Sequence, residues 1–279
     1  MDDWIKVLSG LVILSLVISG VAFFKQPTLF SEKKDALDKI KETSTITACY
    51  ISYPPFSVKN LKTGQMEGIS IDIIENIAKK MGTKVEYVET TWSNIVLDLK
   101  SERCQANISG IFPLIERASG GVIFTKAYGY MGNNGVVKKE DNRFNSIDDL
   151  DQEGVIIAVV EGEQSHVYAQ EHFKKAKLNV MSSADISLAF VEVSAGRADA
   201  GLSDGITTEL YLKAHDEVKA LLKKDFLIRG STFALNEKDT KLLAFLDNAI
   251  EVMAVADELK EIYAKYPYTS IIPKKVNTQ

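Results

Sequence analysis

From Ile46 onward, short β-branched and apolar runs alternate with segments of helical period, the rhythm of α/β units with parallel strands. Residues 45–52 (TITACYIS) predict a strand that runs into the turn Tyr53-Pro54-Pro55-Phe56. A helix follows over 71–81, where Ile73, Ile74, Ile77, Ala78 and Met81 recur at helical spacing and Gly82 supplies the stop. Residues 84–89 read as a strand. Ser93 is placed to cap a helix carrying Ile95, Val96 and Leu99. A third strand covers 105–111, and a short helix 114–119.

The pattern then restarts. Strands are predicted over 155–160, 178–182 and 199–203, interleaved with helices over 164–173, 185–195 and 205–214. An extended segment, 226–235, precedes a long helical stretch, 238–266. The expected architecture is α/β with two βαβ-type lobes joined by two crossings. Lobe 1 takes 46–132 and 233–279, and lobe 2 takes 133–232. Small ligands bind in such interlobe clefts, beyond the carboxyl ends of parallel strands.

Ahead of this body, residues 8–24 form 17 residues without a charge, flanked by Lys6 and Lys25. The run is apolar on every side, so an export signal or membrane anchor within 1–30 is expected, with 31–45 as a charged, partly helical spacer. No Cys follows the run, which excludes a lipid-anchored lipoprotein. The protein is therefore expected to be extracytoplasmic, either periplasmic or tethered to the inner membrane by 8–24. Only seven residues precede the run, so a tethered sensor would need a partner to carry its signal.

Composition narrows the chemistry. The 279 residues carry a formal charge of −5 and no basic block, a poor match to nucleic acid. Three His and two Cys in none of the short metal-binding spacings imply no metal, and no cofactor is implied. Cys49 and Cys104 can pair or can be two buried small side chains. Placed at opposite ends of two predicted parallel strands, they are expected to be unpaired.

The candidate binding residues lie where predicted strands end. Tyr53 and Trp92 offer aromatic faces that could flank a ligand side chain, while Phe56 reads as packing. Ser109-Gly110 let a ligand approach the backbone, and Arg117 offers a planar fork matched to a carboxylate. Gly162, Glu163 and Gln164 open a helix whose N–H groups favour an anion, although most helix starts are simply capped. Asp204 begins another helix; such an Asp is most often an N-cap, yet it could meet a ligand ammonium. Arg117 and Asp204 on opposite lobes would suit a zwitterion whose bridging favours closure.

Read in order, YPPF at Tyr53, GISIDIIENIAKKMG at Gly68, TWSNIVLDLKSERCQANISG at Thr91, ERA at Glu116, FTKAY at Phe124 and GRADAGLSD at Gly196 form a series. The chain thereby resembles the family 3 extracellular solute-binding proteins, the amino-acid receptors of ABC importers, over roughly residues 44 to 268. The resemblance implies a type II periplasmic-binding-protein-like fold that captures a polar amino acid or similar small zwitterion for an ABC permease in the inner membrane. It implies that Tyr53 and Trp92 flank the side chain, Arg117 holds the carboxylate and Asp204 the amino group, and that backbone near Ser109 and Gly110 adds donors. The hinge would lie near 129–137 and 226–233. Departures from the family pattern are Phe112 where a hydroxyl is common, Ile115 for Pro, Gly162-Glu163 for Gly-Thr and Gln105 for Asp.

An enzyme of the same superfamily is the alternative. Residues 143–155 and 172–180 resemble periplasmic cyclohexadienyl dehydratases, which eliminate water and carbon dioxide from prephenate or arogenate and need a general acid. The acidic catalytic residue of that group would fall near His166 here. Binding without turnover is the expected function.

Overall fold

The computed structural model describes residues 34–274. The predicted leader or anchor at 8–24 lies outside the described residues. Among the described residues, no helix is long and apolar enough to cross a membrane.

The chain enters through helix α1 (Ala36–Thr43) and strand β1 (Thr45–Tyr50), then the turn holding the cis Pro54–Pro55 bond. A small hairpin, β2 (Val58–Lys59) and β3 (Met66–Glu67), leads to helix α2 (Ile69–Met81). The expected stripe Ile73, Ile74, Ile77 and Ala78 is buried, and Gly82 ends α2 in the left-handed conformation with its N–H on the Ala78 and Lys79 carbonyls. Strand β4 (Lys84–Glu89) follows, then a 3-10 turn at Trp92–Asn94, helix α3 (Ile95–Lys100), strand β5 (Ala106–Ile111) and helix α4 (Ile115–Ser119). Ser93 caps nothing; it sits inside the 3-10 turn, its hydroxyl 3.2 Å from that of Thr91.

The second half comprises β6 (Val122–Phe124), β7 (Gly129–Lys138), β8 (Ile156–Val160), α5 (Gln164–His172), β9 (Lys177–Met181), α6 (Leu188–Ser194), β10 (Ala200–Asp204), α7 (Gly205–Leu212) and β11 (Val218–Ala220). Strand β12 (Phe226–Asn236), helices α8 (Thr240–Val255) and α9 (Glu258–Ala264) and strand β13 (Ile271–Pro273) complete it. The long predicted helix is thus two, broken at Asp257, whose φ of 57° no regular helix accommodates.

The main sheet runs β4-β1-β5-β12-β7-β10-β8-β9. Parallel pairing holds where βαβ units were predicted, β4-β1-β5 on one side and β10-β8-β9 on the other. At the centre, where extended crossings were expected, the pairing is antiparallel. Both crossings become strands, with β12 antiparallel to β5 and β7, and β7 antiparallel to β10. The sheet is therefore mixed and continuous between two lobes.

In the second lobe the side-chain alternation of strands divides the core into two layers. Ile157, Val159 and Val137 face Phe173 and Leu150, whereas Ala158 and Val136 face Phe190 and Val193. The first lobe packs α2, α8 and α9 over one large core that includes Ile40 of α1. The later part of the predicted spacer is thus a docked helix. Asp35 caps α1 at Leu37 N (2.9 Å) and also accepts from Lys241 N and Leu242 N, while Ala36 N donates to Asp239 (3.0 Å).

Cys49 and Cys104 form a disulfide with their Cα atoms 5.6 Å apart, so the unpaired expectation is wrong. The physical reason is the entry to β5. Arg103 N folds back onto the Asp98 carbonyl and Gln105 N bonds the Thr47 carbonyl, bringing Cys104 alongside β1 rather than to the far end of a neighbour.

Candidate functional site

Tyr53 closes the turn after β1, its N–H on the Ser57 carbonyl at 2.7 Å. Its ring stacks on Phe56, 5.1 Å between centroids, and meets Trp92 edge to face at 5.3 Å. The two rings expected to flank a ligand side chain therefore touch each other in this closed arrangement. Trp92 Nε1 donates across the cleft to the Ala184 carbonyl at 3.1 Å. The Tyr53 hydroxyl meets Met131 Sδ at 3.8 Å, and burial, then the nearby Asp204 charge, pushes its pKa well above the ordinary value.

Ser109 and Gly110 sit at the end of β5 but are already engaged. Ser109 Oγ accepts Ile51 N at 2.7 Å, and its own N–H goes to Asn107 Oδ1 at 3.1 Å. Gly110 has φ of 71° and a Cβ there would lie 2.9 Å from the Phe56 ring, so a side chain is excluded.

Arg117, on the one-turn helix α4, is only 7% exposed and points inward. Its Nη1 donates to the carbonyl of Phe112, itself buried, at 3.0 Å, and Nη2 to the Gly162 carbonyl at 2.6 Å across the cleft. Burial lowers its pKa to about 10, against which Glu163 and then Glu116 favour the cation. Gly162, with φ of 77°, approaches Ser93 N so closely that a Cβ would lie 3.0 Å away.

Glu163 is the N-cap of α5, its Oε2 accepting Ser165 N at 2.7 Å, and it is 4% exposed. Burial, and next the neighbouring Asp204 charge, push its carboxyl up to about 8. Gln164 is buried with neither amide atom bonded to a protein group among the described residues. Asp204, 1% exposed, is the N-cap that its position predicted. It accepts from Thr207 N (2.7 Å), Thr207 Oγ1 (2.9 Å) and, at 3.5 Å, Ser203 Oγ, and burial still raises its pKa. His166 is less engaged with the cleft: its Nδ1 accepts Gly162 N at 3.2 Å, and burial lowers its pKa.

Asn133 escaped the sequence reading. It lies beside Asp204 in the β7–β10 register and donates to Ser165 Oγ at 2.7 Å, leaving its Oδ1 without a protein partner among the described residues. The signal was present: adjacent Asn133 and Asn134 interrupt an otherwise apolar strand. Two cavities flank this cluster. One of about 490 Å³ opens between Tyr53, Ile186, Thr207 and Tyr211. Another of about 240 Å³ lies by Glu116, Gln164 and Arg229.

Comparison with known proteins gives the same direction. Residues 45–269 match the family described as bacterial extracellular solute-binding proteins, family 3. A probable amino-acid ABC transporter-binding protein of Haemophilus influenzae is 25% identical over 257 residues, 89% of this chain and 93% of that protein. Cyclohexadienyl dehydratase of Pseudomonas aeruginosa is 28% identical over 191 residues, 68% of this chain and 70% of the enzyme. The crystal structure of the ancestral amino acid-binding protein AncCDT-1, a precursor of cyclohexadienyl dehydratase, superposes with a TM-score of 0.75 at 31% identity, covering 84% of this chain and 99% of that one. With the family pattern spread across both lobes, the chain belongs to the bacterial extracellular solute-binding proteins, family 3.

Proposed function

We propose that this chain captures an amino acid outside the cytoplasm, between its two lobes, and presents it to an ABC permease of the inner membrane. The observation that carries the reading is the burial of a cation, Arg117, on one side of the cleft and an anion, Asp204, on the other. A guanidinium and a carboxylate so disposed match the carboxylate and ammonium of one zwitterion. Arg117 keeps donors beyond the two that hold Phe112 and Gly162. The relatives named for amino-acid binding support the substrate class. Tethering through 8–24 belongs to the same proposal, as does release of ligand without chemical change.

A second reading rests on Glu163. A buried carboxyl that keeps its proton near neutral pH is what an elimination needs as a general acid, and one relative is a dehydratase.

One experiment separates the two. The full-length protein is unfolded thermally against the twenty amino acids, prephenate and arogenate, with product assayed in the last two. A ligand at about a thousand times its Kd should stabilise by about 4 kcal/mol. Stabilisation by amino acids, lost in both Arg117→Ala and Asp204→Ala, is expected. Turnover of prephenate or arogenate would transfer the protein to the dehydratases, and amino-acid affinity retained in both variants would overturn the site.

A further inference from the structure

The smaller of the two cavities lies outside the cleft that Arg117 and Asp204 face. It measures about 240 Å³, and none of Tyr53, Trp92, Arg117 or Asp204 lines it. Three parts of the fold meet around it. The first lobe contributes Pro113 to Glu116, the second lobe one face of α5, and the β12 crossing Leu227 and Arg229. A cavity with walls on both lobes is complete only while the lobes are in contact, as they are here through Arg117 Nη2 and the Gly162 carbonyl. Its third wall is the stretch where the β7–β12 register shifts and Leu227 turns left-handed.

The inner wall is polar and unsatisfied. Gln164 is 3% exposed, and neither its Oε1 nor its Nε2 bonds a protein group among the described residues. The Arg229 Nε–H is buried with the same lack of a partner among those residues. Burial without a partner is costly for each of these atoms, so the wall favours a molecule that brings both an acceptor and a donor. A carboxylate accepts from the Arg229 guanidinium and the Gln164 amide N–H, and an ammonium donates to the Gln164 carbonyl. On the exposed rim stand Glu116 and Glu171, which attract the ammonium and repel an anion that lacks one. Val167 and Leu227 leave an apolar side for a short side chain.

We propose that this cavity is a second amino-acid site, formed on closure, whose occupant ties α4, α5 and the β12 crossing together and so holds the lobes shut. The inference rests on the amino-acid reading of the main cleft, because closure there completes the cavity. A molecule that binds only the closed arrangement raises the affinity of the cleft, and the cleft ligand raises the affinity of the cavity by the same factor. Binding at both places is reversible, and no covalent bond is made or broken.

Equilibrium dialysis of the full-length protein against each of the twenty amino acids, in millimolar excess, counts the molecules held per chain. For at least one amino acid the expected count is two. Arg229→Met removes the partner of the carboxylate, and Val167→Trp fills the cavity from its apolar side. Each variant should hold one molecule, bound at least about fivefold more weakly for want of the second. A wild-type count of one, a count of two in both variants, or an unchanged affinity of the remaining molecule would overturn the inference while leaving an amino-acid receptor. If the wild type binds no amino acid at all, the receptor reading itself falls, and this inference with it.

Discussion

Glu163 holds its proton more tightly in the folded protein than in the unfolded chain, because folding removes it from water and sets it near Asp204. Between the unfolded carboxyl value and about 8, the native state therefore binds more protons than the unfolded state. Stability from this group is full at low pH and drains away as pH rises through that window; Asp204, also raised, acts in the same sense. We expect the Tm of the unliganded protein to fall from about pH 5 to about pH 8, and Glu163→Gln to flatten the slope. Calorimetric scans of both proteins at those pH values check this, and a rising wild-type Tm would contradict it. At this scale the sequence was readable where chemistry is loud: Arg117 and Asp204 stood in recognisable motifs. It was mute on Ser109, whose hydroxyl and N–H are consumed by Ile51 and Asn107, because such local pairing is decided by strand register.

Strands and helices were legible because their apolar spacing is set by the faces they bury, as with the Ile73, Ile74 and Ile77 stripe of α2. Their ends were less so. The 3-10 turn at Trp92 and the break at Asp257 are imposed by tertiary packing. The disulfide was missed for a similar reason, the path of the chain into β5. It spans 55 residues of sequence, and in the chain-entropy picture its loss in Cys49→Ser with Cys104→Ser should cost about 4 kcal/mol. Denaturant unfolding of the double variant measures it; an unchanged midpoint would refute the assignment of stability to the bond. Where α5 begins, Gly162 allows the two lobes to meet at Ser93. Gly162→Ala adds a methyl to that contact and forces a side chain into φ of 77°, so lobe closure should be impeded and ligand affinity should drop at least about tenfold. Titration together with the radius of gyration of the liganded protein tests this, and full affinity with unaltered compaction would refute it.

Across the whole molecule, the two-block α/β pattern announced two lobes, yet it left the crossings as connectors. Instead β7 and β12 pair with each other at Gly129–Ser231, Tyr130–Gly230 and Met131–Arg229, so that the lobes share one hydrogen-bonded sheet. Periodicity could not reveal this, since β12 draws its partners from residues about a hundred positions away. Relative lobe motion must then be taken up where the ladder is already irregular. The β7–β12 register shifts between Phe226 and Arg229, and Leu227 there holds φ of 54°.

The disulfide has one more consequence, of practical kind. The sequence contains two Cys and the bond uses both, so the oxidised protein offers no thiol to a maleimide dye. Ala214 is exposed and lines the cavity that Tyr53 borders from the other lobe. A single Ala214→Cys substitution therefore gives a uniquely addressable position at the rim. A solvatochromic fluorophore attached there turns lobe closure into an optical signal, with no competing label to subtract.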